Sequence, residues 1–180
     1  MEKERVIVIV DGSNFYHRLK ELFSQRENLL GFRLDDFVVW LCGARQIIEK
    51  KYHIGVVRAR PGDEKAQTLR ASQQRLFARL RQGNWHIMYG YLLESDGRRH
   101  EKGVDVHIAV DLLVGAYENQ YDTAILISSD TDLIPALAKV RSMKKKVEYI
   151  GFSHKPSYGL ITHSDIRRLL TKEDLIRFLR

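Results

Sequence analysis

Four aspartates stand where apolar segments of this sequence give way to polar ones. Asp11 follows the run Val6–Val10, Asp105 opens a long apolar stretch, and Asp130 and Asp132 follow Ala124–Ile127. Asp11 has no cationic side chain in the five residues after it, so its charge needs a partner from elsewhere in the chain. Brought together, four carboxylates would repel one another and, partly buried, would destabilise the fold by several kcal/mol. A hard divalent cation removes that repulsion, and an all-oxygen donor set favours Mg²⁺ or Mn²⁺ over zinc. Carboxylate-held Mg²⁺ in a basic surround suits phosphoryl chemistry. The ion activates a water and steadies the leaving oxygen, while Lys and Arg hold the polyanion.

The elements that must position these acids can be read from the pattern around them. Val6–Val10 is wholly β-branched, as in a strand covered on both faces of a parallel sheet, and Asp11-Gly12-Ser13-Asn14 is turn chemistry leading to a helix. In a simpler account Asn14 caps that helix and Gly12 makes the tight turn. Ala124–Ile127 reads as a buried strand, and Ser128-Ser129-Asp130-Thr131-Asp132 as its junction with a helix that has Pro135 in its first turn. Asp130 and Thr131 are also good caps for that helix. Asp105 sits in the first turn of an apolar helix over Gly103–Gln120, where the helix dipole accepts negative charge whatever its function. Asp111 lies roughly 240° further round the same helix, so it is expected to face another way and to pair with His107.

The remaining pattern predicts a helix over Phe15–Leu30 and another from Asp35 to about Lys51, with Phe37, Leu41 and Ile48 inward. A strand over Ile54–Ala59 is then expected, and a helix from about Asp63 to Gln82 whose inner stripe is Leu69, Gln73, Leu76, Phe77 and Leu80. Arg75 and Arg79 lie beside that stripe, as a solvated face or a phosphate-tracking flank. A strand over Trp85–Leu93, a charged loop over Glu94–Gly103, a helix from Thr131 to about Met143 and a strand over Val147–Phe152 follow. Ser153–Ser157 reads as a loop. A short helix over Lys172–Leu179 is expected, capped by Thr171 with Asp174 at the capping-box position. Strands alternating with helices make a doubly wound α/β sandwich with about five parallel strands, in a single domain over 1–180.

Composition frames the possible partners. The chain has 180 residues, 44% hydrophobic and 29% charged, which is ordinary for a globular domain. The net charge of +7 and a pI near 9.5 point to a polyanion, nucleic acid first. No apolar run is long enough for a membrane span, and the single cysteine, Cys42, fits a reducing cytoplasm. The seven histidines do not pair at zinc spacing and are expected mostly at the surface. There is no P-loop and no G-x-G-x-x-G turn. Ser13 stands where a haloacid-dehalogenase-type phosphatase would need a second aspartate.

Three motifs together carry a family resemblance: Val10-Asp11-Gly12-Ser13-Asn14, Lys102-Gly103-Val104-Asp105 and Ser128-Ser129-Asp130-Thr131-Asp132. In this order, on these elements, the chain resembles the NYN domain, the PIN-like nuclease family whose bacterial branch includes LabA-type proteins. The likeness covers roughly residues 5–152 and extends towards the tail. Ser129 is a mild departure, since similar proteins often have Gly there. The resemblance implies a PIN-like α/β/α sandwich and a Mg²⁺- or Mn²⁺-dependent ribonuclease. Asp11, Asp130 and Asp132 would hold a first ion, with Asp105 positioning a second ion or the attacking water. Asn14 and Ser128 would be polar supports, and Lys102 with Arg98 and Arg99 would meet RNA phosphates. A regulatory module that keeps the fold and the acids without turnover is the alternative. PIN-like proteins are often dimers, and Trp40 or Tyr158 could serve such an interface.

Overall fold

The computed structural model describes residues 2–23, 29–57, 62–95 and 98–179, with the side chains of Leu30 and 91–101 outside the description. Its framework is one sheet with strands β1 (Arg5–Asp11), β2 (Gln46–Gly55), β3 (His86–Ser95), β4 (Arg98–Lys102), β5 (Thr123–Ile127), β6 (Lys146–Phe152) and β7 (Ile166–Leu170). The spatial order is β4-β3-β2-β1-β5-β6-β7. All neighbours run parallel except β3 and β4, an antiparallel pair at one edge. Six parallel strands thus replace the five expected, and the charged loop expected over Glu94–Gly103 is largely β4 and the end of β3.

Helices cover both faces. On one side lie α1 (Gly12–Leu22), α2 (Leu34–Cys42), α3 (Glu64–Gln82) and α7 (Lys172–Ile176). They bury Phe15, Phe37, Leu41, Phe77 and Leu175 against Val6, Val8 and Val10. On the other lie α4 (Val104–Tyr117), α5 (Ile134–Ser142) and α6 (Tyr158–Thr162), with Ile108, Leu112, Leu137 and Leu160 packed against Ile7 and Ile9. Successive residues of β1 therefore feed opposite cores, which is why that strand is apolar without alternation. The result is the three-layer α/β/α sandwich.

Several boundaries differ from the sequence expectations, for identifiable reasons. The second helix stops at Cys42, and Gly43 (φ 59) turns the chain into β2 from Gln46. Glu49, Lys50 and Lys51 gave β2 the look of a helix end. They are tolerated in the strand because Lys50 reaches Asp35 at 2.6 Å and Lys51 reaches Asp111 at 2.8 Å. Ile48 consequently lies on β2 and is exposed, and Leu69 of α3 also faces solvent, as do Arg75 and Arg79. Asp111 does not pair with His107: besides Lys51, it has His53 Nε2 3.2 Å away. Burial pushes its carboxyl up, but His53 and Lys51 outweigh this and hold it below the usual aspartate range. His53 is itself fully buried, against the expectation for histidines. The first helix ends at Leu22, and part of its expected extension lies outside the described residues. A 3-10 turn over Thr131–Leu133 precedes α5, and α6 and β7 were not anticipated. The capping box of Thr171 and Asp174 is present as expected.

Gly12 shows how tightly the β1–α1 turn is built. A Cβ there would run into the Tyr52 ring and fall 2.9 Å from the His53 carbonyl oxygen. Backbone cannot move aside as a side-chain tip can, so Gly12→Ala is expected to lower stability by about 2–3 kcal/mol. Thermal denaturation should show this as a melting temperature lower by roughly 5–10 °C.

Candidate functional site

β1 and β5 are neighbours at the centre of the sheet, with Val10 opposite Ile127. From β1 the chain winds outward through β2 and β3, and from β5 it winds the other way through β6 and β7. The carboxyl ends of β1 and β5 therefore bound the topological switch point, where an open α/β sheet leaves a crevice between its diverging loops. Asp11 is the last residue of β1, and Ser128 and Asp130 follow β5.

Three short bonds fix these residues. Asp11, 5% exposed, is itself the N-cap of α1, its Oδ1 accepting from the Asn14 backbone N–H at 3.0 Å. The cap is thus Asp11 and not Asn14. Ser128 Oγ donates to Asp11 Oδ2 at 3.0 Å and accepts from the Asp130 backbone N–H at 3.1 Å, so one buried hydroxyl ties the two strand ends together. Asp130 in turn caps the 3-10 turn, its Oδ1 accepting from the Asp132 N–H at 2.9 Å. Capping and site placement coincide in both acids.

A cleft of about 320 Å³ opens above these bonds, lined by Asp11, Ser13, Asn14, His17, Val104, Asp105 and Asp130. Asp105 reaches it from the first turn of α4, which starts after Gly103 in the left-handed conformation (φ 84). The structure therefore brings Asp11, Asp105, Asp130 and Asn14 to one wall, with Ser128 buried beneath. Asp132 is exposed and outside the lining, since its backbone serves the Asp130 cap. Lys102 is exposed at the end of β4, two residues before α4. Arg98 and Arg99 lie on β4, but their side chains fall outside the described ones.

Two residues near the site were missed. His17 lies one turn beyond Asn14 on α1, an i,i+3 spacing that could have signalled a shared face. Arg18 gave no local signal, because its partner is 111 positions away: its Nε donates to Ser129 Oγ at 3.2 Å. The same guanidinium, at 2.9 Å, and then His154 hold the Glu21 carboxyl down at about 2. Lys155 is also 3.5 Å from Glu21, so the 153–157 loop is tied to α1 at the cleft's edge.

Does this wall fit a divalent cation? Among the described residues no three His, Cys, Asp or Glu side chains close into a ready-made metal shell. The donor set is nevertheless oxygen-only, and Asn14 Oδ1 is buried without a hydrogen-bond donor. Mg²⁺ characteristically keeps several waters and uses only one or two carboxylates, so an open wall of this kind fits it better than a closed cage would.

Fold and site together define a doubly wound α/β domain with an acidic cleft at its switch point. A profile of the NYN domain matches residues 5–167, and the chain belongs to that family. No curated protein matches it. Among solved structures it is similar to a protein of unknown function from Vibrio parahaemolyticus RIMD 2210633, over 100% of both chains, with 23% identity and a TM-score of 0.74. It also has 18% identity and a TM-score of 0.44 with a bacteriophage T5 flap endonuclease in a pseudo-enzyme-product complex with DNA and metal ions. A T5 5′-exonuclease with bound zinc ions follows at 19% and 0.37. The match covers 81% of this chain and 55% of each phage enzyme's chain, so this chain spans about half their length.

Ser128 is the residue on which the geometry of this wall turns. Ser128→Ala leaves an Asp11 carboxylate oxygen and the Asp130 N–H each short of a partner, and is expected to cost about 1–3 kcal/mol. Urea denaturation of the purified variant measures it.

Proposed function

We propose that this chain is a metal-dependent ribonuclease that hydrolyses phosphodiester bonds in single-stranded or structured RNA, an endoribonuclease using Mg²⁺ or Mn²⁺. The observation that carries the reading is the joining of Asp11 to Asp130 through Ser128, facing Asp105 across one cleft, in a member of the NYN domain family. RNA as the partner rests on the net charge of +7 and on the cations near the cleft.

In this reading Asp11 and Asp130 hold the ion, with Asn14 Oδ1 available to it or to one of its waters. The bound cation would supply Lewis-acid stabilisation of the phosphoryl oxygens and a more acidic water. Asp105 orients the attacking water from the opposite element, and Ser128 keeps Asp11 aimed by occupying its second oxygen. Asp132 acts through the Asp130 cap and is a positioning residue. Lys102, with Arg98 and Arg99, meets backbone phosphates beside the α4 N-terminus. Gel-based cleavage of a labelled RNA pool with Mn²⁺ tests the assignment. Asp11→Asn or Asp130→Asn is expected to abolish cleavage and to leave RNA affinity within a few-fold. Undiminished cleavage by either purified variant overturns the reading.

A second reading, a regulatory RNA- or protein-binding module without turnover, is favoured by the lack of a ready-made three-ligand shell among the described residues. Thermal unfolding separates the two. A cation that binds only the folded state raises the melting temperature, at saturation by a few degrees or more. The nuclease reading expects that rise with Mn²⁺ and its loss in Asp11→Asn; no rise in the parent chain favours the binding module.

A further inference from the structure

α4 is apolar nearly all round, and the single chain covers only part of it. Val104, Ile108, Leu112 and Ala116 are buried against the sheet and α5. The outward side leaves Val106 63%, Val110 49%, Val114 43% and Tyr117 81% exposed. Val106, Val110, Leu113 and Tyr117 recur at steps of four, three and four, the seam spacing of two packed helices. Beside the seam, Leu113, Val114, Tyr117, Glu118, Lys139 and Met143 line an open groove of about 680 Å³.

We propose that this face pairs with the same face of a second copy of the chain, the two α4 helices antiparallel about a two-fold axis between Val110 and Leu113. The chemistry excludes other occupants. α4 contains no Lys or Arg, so it is neither a phosphate-tracking surface nor a membrane-surface helix, which would carry both along its flanks. Self-pairing needs a surface that supplies both the protruding and the receiving part, and this one does. The antiparallel arrangement lays Val106 of the partner subunit in the groove beside Tyr117. It also sets Glu118, an acid at one end of the stripe, against Lys102 of the partner subunit at the other. The four exposed side chains offer roughly 450 Å² per copy, and with their polar rim the pair buries on the order of 1,000 Å², enough for a specific interface. Trp40, one of the two aromatics expected at an interface, is instead covered by Arg177, whose guanidinium lies 4.2 Å from its ring centroid.

The pairing is independent of what the cleft does, but it has a consequence there. α4 begins at the cleft with Val104 and Asp105, so each cleft is flanked by Tyr117 of the partner subunit, and the two clefts lie about 20 Å apart along the helix pair.

Sedimentation velocity of the purified chain tests it. At about 100 µM the expected mass is twice 21.0 kDa, and Val110→Lys should sediment at 21.0 kDa with unchanged far-ultraviolet circular dichroism. Tyr117→Ser, at a site too exposed to matter for folding, should weaken association about tenfold or more. A parent chain that stays at 21.0 kDa, or Tyr117→Ser that associates as tightly as the parent, overturns the proposal. Orientation is read from cross-linking, in which buried Cys42 does not compete. Mixing Val106→Cys with Tyr117→Cys chains should give a covalent pair, whereas cross-linking of Val106→Cys with itself requires parallel helices and refutes the antiparallel arrangement.

Discussion

The hydroxyl of Ser128 links two strand ends that the chain reaches 117 residues apart, and the candidate site depends on that link. It donates to Asp11 and accepts from the Asp130 backbone, so neither acid can turn without breaking a bond in a buried place. The parallel pairing of β1 with β5 sets the spacing that makes the link possible. Winding the sheet outward on both sides of that pair then leaves the crevice open above it. A hydroxyl is the right size and chemistry here: it both donates and accepts, and adds no charge to a wall already holding three carboxylates.

Sequence made this part of the molecule legible because its signals are local. Val6–Val10 announces a doubly covered strand, and the two β-to-α junctions combine turn and capping residues with acids. What the reading could not decide was whether each acid was a cap or a site residue. The structure removes that opposition: Asp11 and Asp130 are both, since the carboxylate that accepts the first helical N–H stands at the carboxyl end of its strand. Asp132 is the acid that the pattern grouped with the others and the geometry does not, because its backbone rather than its side chain serves the junction.

The misread region has a physical reason as well. β2 crosses the middle of the sheet with Glu49, Lys50 and Lys51 in sequence, which no local rule assigns to an interior strand. Its charges are satisfied from other elements: Asp35 of α2 on one face, Asp111 of α4 on the other. Partner and residue are 15 and 60 positions apart, beyond any periodicity window. The same holds for Arg18 and Ser129, and for Glu148, buried in β6 between Arg45 at 2.6 Å and Arg168 at 3.3 Å. Wherever charge is neutralised at long range, the sequence shows the charge and hides the solution.

α4 joins these themes. Its first turn presents Asp105 to the cleft, its inner face closes the core over β1, and Asp111 anchors β2 through Lys51. An all-round apolar helix with only these duties would be over-supplied with hydrophobic surface, because Val106, Val110, Val114 and Tyr117 contribute to none of them. Scattered exposed apolar residues need no explanation, but four in a row along one helix face form a contiguous patch of the kind that marks an interface. The element that places an acid in the cleft is thus also the element best suited to bring a second chain beside it.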